Sequence, residues 1–221
     1  MEFISTRGKD GPISFETALL NGLARDGGLY LPVSWPRFNL DEIRQMRDLS
    51  YSDLAGLIMS RFTEGEIDQV EMTSLARQSY ADFTHPDVAP LRPVAENIHI
   101  LELFHGPTIA FKDYAMQFLS RVFDRALTRQ NRTAVILGAT SGDTGSAALE
   151  AFKGRDSVDV FILFPNGRVS PVQQKQMTSI SAKGAHAVAV SGDFDDCQDL
   201  VKACFNDAVS YTHLTLPTTS F

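Results

Sequence analysis

The pattern of apolar and polar residues predicts an α/β chain. Four apolar runs have the length of buried strands, namely Ile98–Phe104, Thr133–Leu137, Val158–Phe164 and Ala185–Val190. Segments with a helical apolar period begin near Thr144, Ser170 and Phe194. Strands that alternate with helices in this way favour a parallel sheet with right-handed crossovers.

The region before the first of these runs has a different pattern. Residues 1–93 carry mainly helical signals, with helical apolar spacing from Leu40 to Phe62 and Asp41 as a candidate helix cap. A proline-rich hinge, Pro86–Pro93, follows. We therefore predict an N-terminal domain over residues 1–93 and an α/β domain over residues 94–207.

Composition narrows the class of protein. The chain has 221 residues, of which 43% are hydrophobic, enough for a sizeable core. The net charge of −7 argues against nucleic acid as a partner. No apolar run has the length of a membrane span, and the N-terminus lacks the pattern of a signal peptide. We expect a soluble cytoplasmic enzyme with no membrane partner.

The cysteine and histidine pattern predicts neither a metal site nor a disulfide. The five histidines are scattered without the spacing of metal ligands. Cys197 and Cys204 fall on one apolar helical face together with Leu200, Val201 and Phe205. They are typical of reduced core residues.

Lys112 is the first candidate for chemistry. It follows the apolar residues Ile109–Phe111, and an apolar setting leaves more of the free amine that attacks a carbonyl group. Gly106-Pro107 predicts a turn before it, and the apolar spacing of Ala115–Ala126 predicts a helix after it. Asp113 would then complement the dipole of the helix. On this segment alone, a lysine that extends from a helix start into water is the ordinary alternative.

A glycine- and hydroxyl-rich loop, Gly138–Gly145, is the second candidate. It lies between a predicted strand and a predicted helix, where backbone N–H groups can hold a small anion. Its spacing is neither that of a P-loop nor that of a dinucleotide fingerprint. An ordinary strand-to-helix turn capped by Ser or Asp is the alternative. With a lysine able to form a Schiff base, the loop suggests pyridoxal-phosphate chemistry on an amino acid.

Arg168 and Ser170 form the third candidate. They follow the predicted strand Val158–Phe164, and open α/β sheets bind ligands at the carboxyl ends of their strands. The fork-shaped guanidinium of Arg168 would suit a phosphate group, with a solvated arginine in a Pro/Gly turn as the alternative. His105 is close to Lys112 in sequence, but a structural histidine in a turn explains it equally well, and we assign it no role.

Several segments, in order along the chain, resemble threonine synthases from about Met1 to about Asp207. The segments are Ile4–Gly8, Gly22–Pro32, Phe104–Asp113, Ala139–Gly145, Phe164–Gln173 and Gly192–Gln198. The resemblance implies the tryptophan-synthase-β-like fold of enzymes that depend on pyridoxal 5'-phosphate (PLP). That fold is a three-layer structure with a parallel or mixed sheet and helices on both faces, here incomplete at the C-terminus.

The resemblance also implies a reaction and a cofactor site. Threonine synthases are carbon–oxygen lyases that convert O-phospho-L-homoserine and water to L-threonine and phosphate, the last step of threonine biosynthesis. Lys112 would bind PLP as a Schiff base and move protons, and Asp143 would lie near the ring hydroxyl of the cofactor. Ser141 and Thr144 would contribute to the cofactor site and, with Thr140, face the substrate carboxylate. The substrate-binding residues are then Thr140, Arg168 and Ser170, and no metal is expected.

The resemblance stops at about Asp207. The Thr-rich residues 208–221 lack the preceding helical period, which suggests a non-native tail like a fusion scar, with a natural short variant as the competing idea. Threonine synthases continue for roughly a further domain's length. The glycine-rich loop that grips the PLP phosphate is therefore expected to be missing, and the chain to be weakly stable and nearly inactive. The sequence does not predict an oligomeric state.

Two other functions stay open. One is a related PLP-dependent lyase, such as a serine or threonine dehydratase or a phospholyase. The other is an inactive fragment. Phe104–Asp113 and Gly22–Pro32 argue against the dehydratases, since both segments resemble threonine synthase specifically.

Overall fold

The computed structural model describes residues 1–207, so the tail predicted over residues 208–221 lies outside the described residues. Two compact units, Met1–Gly106 and Pro107 onward, are described separately below. The domain boundary expected after residue 93 stays a prediction, and the first compact unit extends beyond it to Gly106.

The first unit is mainly helical, with two small antiparallel sheets. Strands β1 and β2 form one sheet, and β3 and β4 form the other. In chain order its elements are β1 (Phe3–Ser5), α1 (Phe15–Asn21), β2 (Tyr30–Pro32), α2 (Leu40–Gln45), α3 (Tyr51–Phe62), α4 (Gln69–Tyr80), β3 (Leu91–Ala95) and β4 (Ile98–Leu101).

The helical period from Leu40 to Phe62 corresponds to two helices with a short 3-10 turn after the first. The chain leaves the helical conformation at Leu49, and Ser50 caps α3. The predicted cap Asp41 is wrong, because Asn39 caps α2. The Asn39 side chain accepts hydrogen bonds from two backbone N–H groups, and Glu42 completes a capping box with it.

The strand predicted over Ile98–Phe104 ends at Leu101 and lies in a hairpin, not in the parallel sheet. Its partner β3 comes from the predicted hinge, with Leu91 opposite Leu101. Pro93 is tolerated there, because both strands of a two-stranded sheet are edge strands.

The second unit follows the predicted alternation of strands and helices. Its elements are α5 (Lys112–Arg129), β5 (Ala134–Ala139), α6 (Asp143–Phe152), β6 (Val158–Pro165), α7 (Pro171–Thr178), β7 (Ala185–Val190) and α8 (Phe194–Asn206). The three strands are parallel in the order β5-β6-β7. The predicted parallel sheet is therefore confirmed for these three strands.

Helices cover both faces of this sheet. Neighbouring residues of β6 point to opposite faces. Ile162 packs at the start of α6, where a Cβ added to Gly145 would lie 2.7 Å from its Cγ2. Leu163 packs instead in a buried cluster with Cys197 and Val201 of α8. The three-layer arrangement expected from the sequence is thus confirmed.

The two cysteines are free, as expected. Cys197 of α8 is buried in the core, and Cys204 of the same helix is half-buried. Burial raises the pKa of the Cys197 thiol, and the nearby charge of Asp196 raises it further.

Parallel strands place their carboxyl ends at one edge of the sheet. The loops after β5, β6 and β7 therefore converge there, and they contain the glycine loop, Arg168 with Ser170, and Asp193, respectively. Within residues 1–207, no helix is both long enough and apolar enough to cross a bilayer.

Candidate functional site

The glycine loop is organised from inside by Thr140. This residue is buried, and its Oγ1 accepts hydrogen bonds from the N–H groups of Gly142 at 3.0 Å and Gly145 at 2.9 Å. Its own N–H donates to the Leu163 carbonyl oxygen at 2.9 Å. Thr140 thus has a structural role in the loop, and its predicted contact with the substrate carboxylate stays a prediction.

The outer side of the loop offers donors to an anion. Ser141 and Asp143 are exposed, and Thr144 is half-buried. The first N–H groups of a helix have no partner within the helix. At the start of α6, Thr140 and the Gly142 carbonyl oxygen satisfy the N–H groups of Gly145 and Ser146. The N–H groups of Asp143 and Thr144 have no protein acceptor among the described residues, and they lie at the positive end of the helix dipole.

Lys112 is the first residue of α5 and is half-buried. Its Nζ lies 4.9 Å from the centroid of the Phe111 ring, and it forms no ion pair with any described residue. Ile109 and Phe111 are themselves largely exposed, so the apolar setting expected for the lysine is only partial.

The turn before Lys112 is held by a buried carboxylate. Asp113 is fully buried and accepts hydrogen bonds from Thr108 N at 2.8 Å and from Thr108 Oγ1 at 2.7 Å. Between these two residues, Ile109 has a φ of 62°, a left-handed conformation that is strained for a β-branched side chain. Asp113 lies in the first turn of the helix, as predicted, and it also clamps the turn.

A cavity of about 240 Å³ separates α5 and α6 from α8. Its wall includes Met116 and Leu119 of α5 and the hydroxyl-bearing residues Ser141 and Thr144 of the loop. Residues four and seven positions apart share one helix face, so Lys112 lies on the same face of α5 as Met116 and Leu119. The cavity that the glycine loop lines therefore reaches α5 one helical turn after Lys112, although Lys112 itself is not part of its wall.

Arg168 and Ser170 are placed differently from each other. The Arg168 guanidinium lies 3.9 Å from the Asp193 carboxylate, and both side chains are exposed. Ser170 caps α7 by accepting the Gln173 N–H, and its hydroxyl donates to Gln173 Oε1 at 2.9 Å. Gln173 Nε2 in turn donates to the Asp143 carboxylate. The structure thus joins Ser170 to Asp143 through Gln173, while Arg168 faces Asp193.

Three residues in this site were missed by sequence reasoning, namely Thr108, Gln173 and Gln176. Gln176 Nε2 donates to the Thr108 carbonyl oxygen at 3.0 Å. The only sequence signal was that Gln173 and Thr108 fall within segments of the resemblance, since glutamine is equally common on exposed helix faces.

We expect Gly145→Ala to destabilise the second unit by about 1–3 kcal/mol. An added Cβ would collide with Thr140 Cγ2 and lie 2.7 Å from Ile162 Cγ2, so the side chain that orders the loop would have to move. Urea unfolding followed by circular dichroism measures the change. Gly138→Ala is the control, because its Cβ would approach only Ile162 Cδ1, at 3.4 Å. Equal effects of the two substitutions would contradict the prediction.

Sequence comparison finds related proteins along most of the chain. Residues 2–80 match the family described as threonine synthase N terminus. The chain is 49% identical over 207 residues to the threonine synthase of Pseudomonas aeruginosa, covering 94% of the chain and 44% of that protein. It is 46% identical over 216 residues to the threonine synthase of Schizosaccharomyces pombe, covering 94% of the chain and 42% of that protein.

Two solved structures have the same fold. The PLP-bound threonine synthase from Brucella melitensis matches with a TM-score of 0.91 at 53% identity, over 95% of the chain and 45% of that protein. The yeast threonine synthase matches with a TM-score of 0.93 at 40% identity, over 99% of the chain and 46% of that protein. The chain thus spans less than half the length of these relatives.

Proposed function

The chain belongs to the threonine synthase family, and we propose that its second unit forms part of a PLP site that converts O-phospho-L-homoserine and water to L-threonine and phosphate. The observation that carries the proposal is that the cavity lined by the glycine loop extends to Met116, one helical turn after Lys112. The relatives at 41–49% identity are threonine synthases, so the dehydratase alternative is not favoured. Cytoplasmic location belongs to the same proposal, supported by the class of these relatives.

Two observations support the fit of PLP to these residues. Lys112 has an amine that forms no ion pair with described residues, as attachment to a carbonyl group requires. The N–H groups of Asp143 and Thr144 stand at a helix N-terminus with no protein acceptor among the described residues. Lys112 would hold the cofactor through its ε-amino group, with Asp143 near the ring hydroxyl and Ser141 and Thr144 beside it.

The bound cofactor would supply an electron sink that acidifies the C–H bonds of the amino-acid substrate. The residues of the chain then have separate tasks. The Lys112 amine would accept and return protons at the substrate carbons, since it stands on a rigid helix start. The loop N–H groups and the hydroxyls of Ser141 and Thr144 would hold the substrate carboxylate, and Thr140 would keep the loop in shape.

We assign Arg168 to the substrate phosphate. The substrate contact predicted for Ser170 stays a prediction, since its hydroxyl already donates to Gln173 Oε1. At 3.9 Å between exposed side chains, the contact of Arg168 with Asp193 is weak, because water screens such pairs. A phosphate dianion can compete with the Asp193 carboxylate for the guanidinium and accept two parallel hydrogen bonds from it.

Covalent labelling tests the proposed function. The purified chain is incubated with PLP, reduced with borohydride and digested, and the modified lysines are identified by mass spectrometry. We expect the adduct to form at Lys112 well before the exposed Lys175 and Lys183, and O-phospho-L-homoserine to slow its formation. Uniform labelling of all three lysines, unaffected by the substrate, would refute a specific cofactor site.

A further inference from the structure

Helix α7 carries two glutamines that reach the two halves of the candidate site. Gln176 donates to the Thr108 carbonyl oxygen in the turn over residues 107–111, called the lysine turn because Lys112 follows it. Gln173 donates to the Asp143 carboxylate at the glycine loop. Residues three apart share a helix face and are separated by about 4.5 Å along the axis. A single helical turn of α7 therefore forms hydrogen bonds to both the lysine turn and the glycine loop.

Gln176 and Lys112 are connected through the short lysine turn, which hydrogen bonds hold in place. All three polar groups of Thr108 are engaged, the carbonyl oxygen by Gln176 and the N–H and hydroxyl by the buried Asp113 carboxylate. Asp113 directly follows Lys112 in the chain. The left-handed Ile109 within the turn stores strain, so the turn keeps its shape only while both ends are held.

Gln173 is fixed from both sides. Its Oε1 accepts the Ser170 hydroxyl and its Nε2 donates to Asp143, so the orientation of its amide is determined. The amide also packs against Gly142, where an added Cβ would collide with it. Helix α7 is thereby held against the glycine loop and is a fixed platform for Gln176.

We propose that Gln176 is a positioning residue for Lys112. Through the Thr108 carbonyl oxygen it holds the lysine turn at a set distance from the glycine loop, to which Gln173 anchors the same helix. Gln176 touches neither cofactor nor substrate in this scheme, and it acts by presenting the Lys112 amine toward a carbonyl group held at the loop. The inference rests on the proposed function.

The test uses Gln176→Glu and the rate at which PLP forms its borohydride-trapped adduct at Lys112, measured from pH 4 to pH 8. At pH 8 the new carboxylate has no hydrogen to donate to the Thr108 carbonyl oxygen, and we expect the rate to fall about tenfold relative to the unaltered chain. At pH 4, below the ordinary glutamic acid pKa of about 4.3, most of the new carboxyl is protonated and has an O–H donor again. The ratio of the two rates should then return toward one.

Two further variants separate positioning from loss of stability. Gln176→Met removes the donor without adding charge, so its rate defect should persist at every pH. Gln174→Glu is the matched control, because the Gln174 side chain has no hydrogen-bond partner among the described residues, and its ratio should stay near one. The melting temperature of each variant is measured alongside.

The outcomes distinguish the two proposals. If Lys112 is labelled preferentially in the unaltered chain but Gln176→Glu shows no defect, or one that does not recover at low pH, the positioning role is refuted and the proposed function stands. If Lys112 has no preference even in the unaltered chain, the proposed function fails and the inference fails with it. A pH-dependent recovery in Gln176→Glu alone would establish the hydrogen bond as the cause.

Discussion

Lys112→Arg is expected to reduce the formation of the PLP adduct at position 112 to background, a loss on the order of a thousandfold or more. A guanidinium keeps the positive charge and nearly the length of the lysine side chain. It stays protonated in proteins and does not form a Schiff base with an aldehyde under these conditions. The visible absorbance of protein-bound PLP and the mass of the borohydride-reduced peptide measure the loss.

The fold should survive this substitution. Lys112 is half-buried and forms no ion pair with described residues, and an arginine can still lie over the Phe111 ring. We expect the melting temperature to change little. Lys175→Arg is the control, since Lys175 is exposed on α7, and it should leave the adduct at Lys112 unchanged. An adduct of normal yield at another lysine in Lys112→Arg would contradict the assignment.

Asp113→Ala is expected to destabilise the second unit by on the order of 3 kcal/mol, because it leaves two buried donors of Thr108 without an acceptor. Asp113→Asn should cost less, since its amide oxygen can still accept one of the two hydrogen bonds. Urea unfolding followed by circular dichroism measures both effects. The single tryptophan, Trp35, lies in the first unit, so its fluorescence follows a different part of the chain.

Thr108→Val tests whether the loss of stability arises from the hydrogen bonds between Thr108 and Asp113. It removes the hydroxyl but keeps the N–H donor, so we expect a smaller loss than in Asp113→Ala. In the double variant the two effects should be less than additive, because both act on one hydrogen-bonded pair. Two results would show that the Thr108–Asp113 hydrogen bonds do not stabilise the turn. One is full additivity of the two substitutions, and the other is a decrease below about 0.5 kcal/mol in the free energy of unfolding of Asp113→Ala.

Most of the second unit could be predicted from the sequence because each element has a strong local signal. The apolar run of β6 is buried on both faces, and β7 lies at the residues predicted for it. Helix α5 was predicted from its apolar spacing, and the glycine loop from its glycines and hydroxyls. In these segments the local pattern and the tertiary packing favour the same structure.

The first unit shows where local signals are insufficient. The hairpin β3–β4 begins inside the proline-rich segment that resembled a hinge, because the pairing of two strands depends on partners outside each segment. Asp41 and Asn39 are both good caps by residue type. Only the backbone conformation at Asn39 decided which of them accepts the helix N–H groups.

By itself, the sequence determined the residue types of the site, namely a lysine at a helix start and an N–H-rich loop before a second helix. It also determined the alternation that brings the ends of three strands together. Only the tertiary structure decided how these parts are connected. It turned the Thr140 hydroxyl inward to the loop, placed Arg168 beside Asp193, and gave Gln173 and Gln176 of α7 their distant partners. The reason is that a hydrogen bond between residues 68 positions apart, as between Gln176 and Thr108, depends on how whole helices and strands pack.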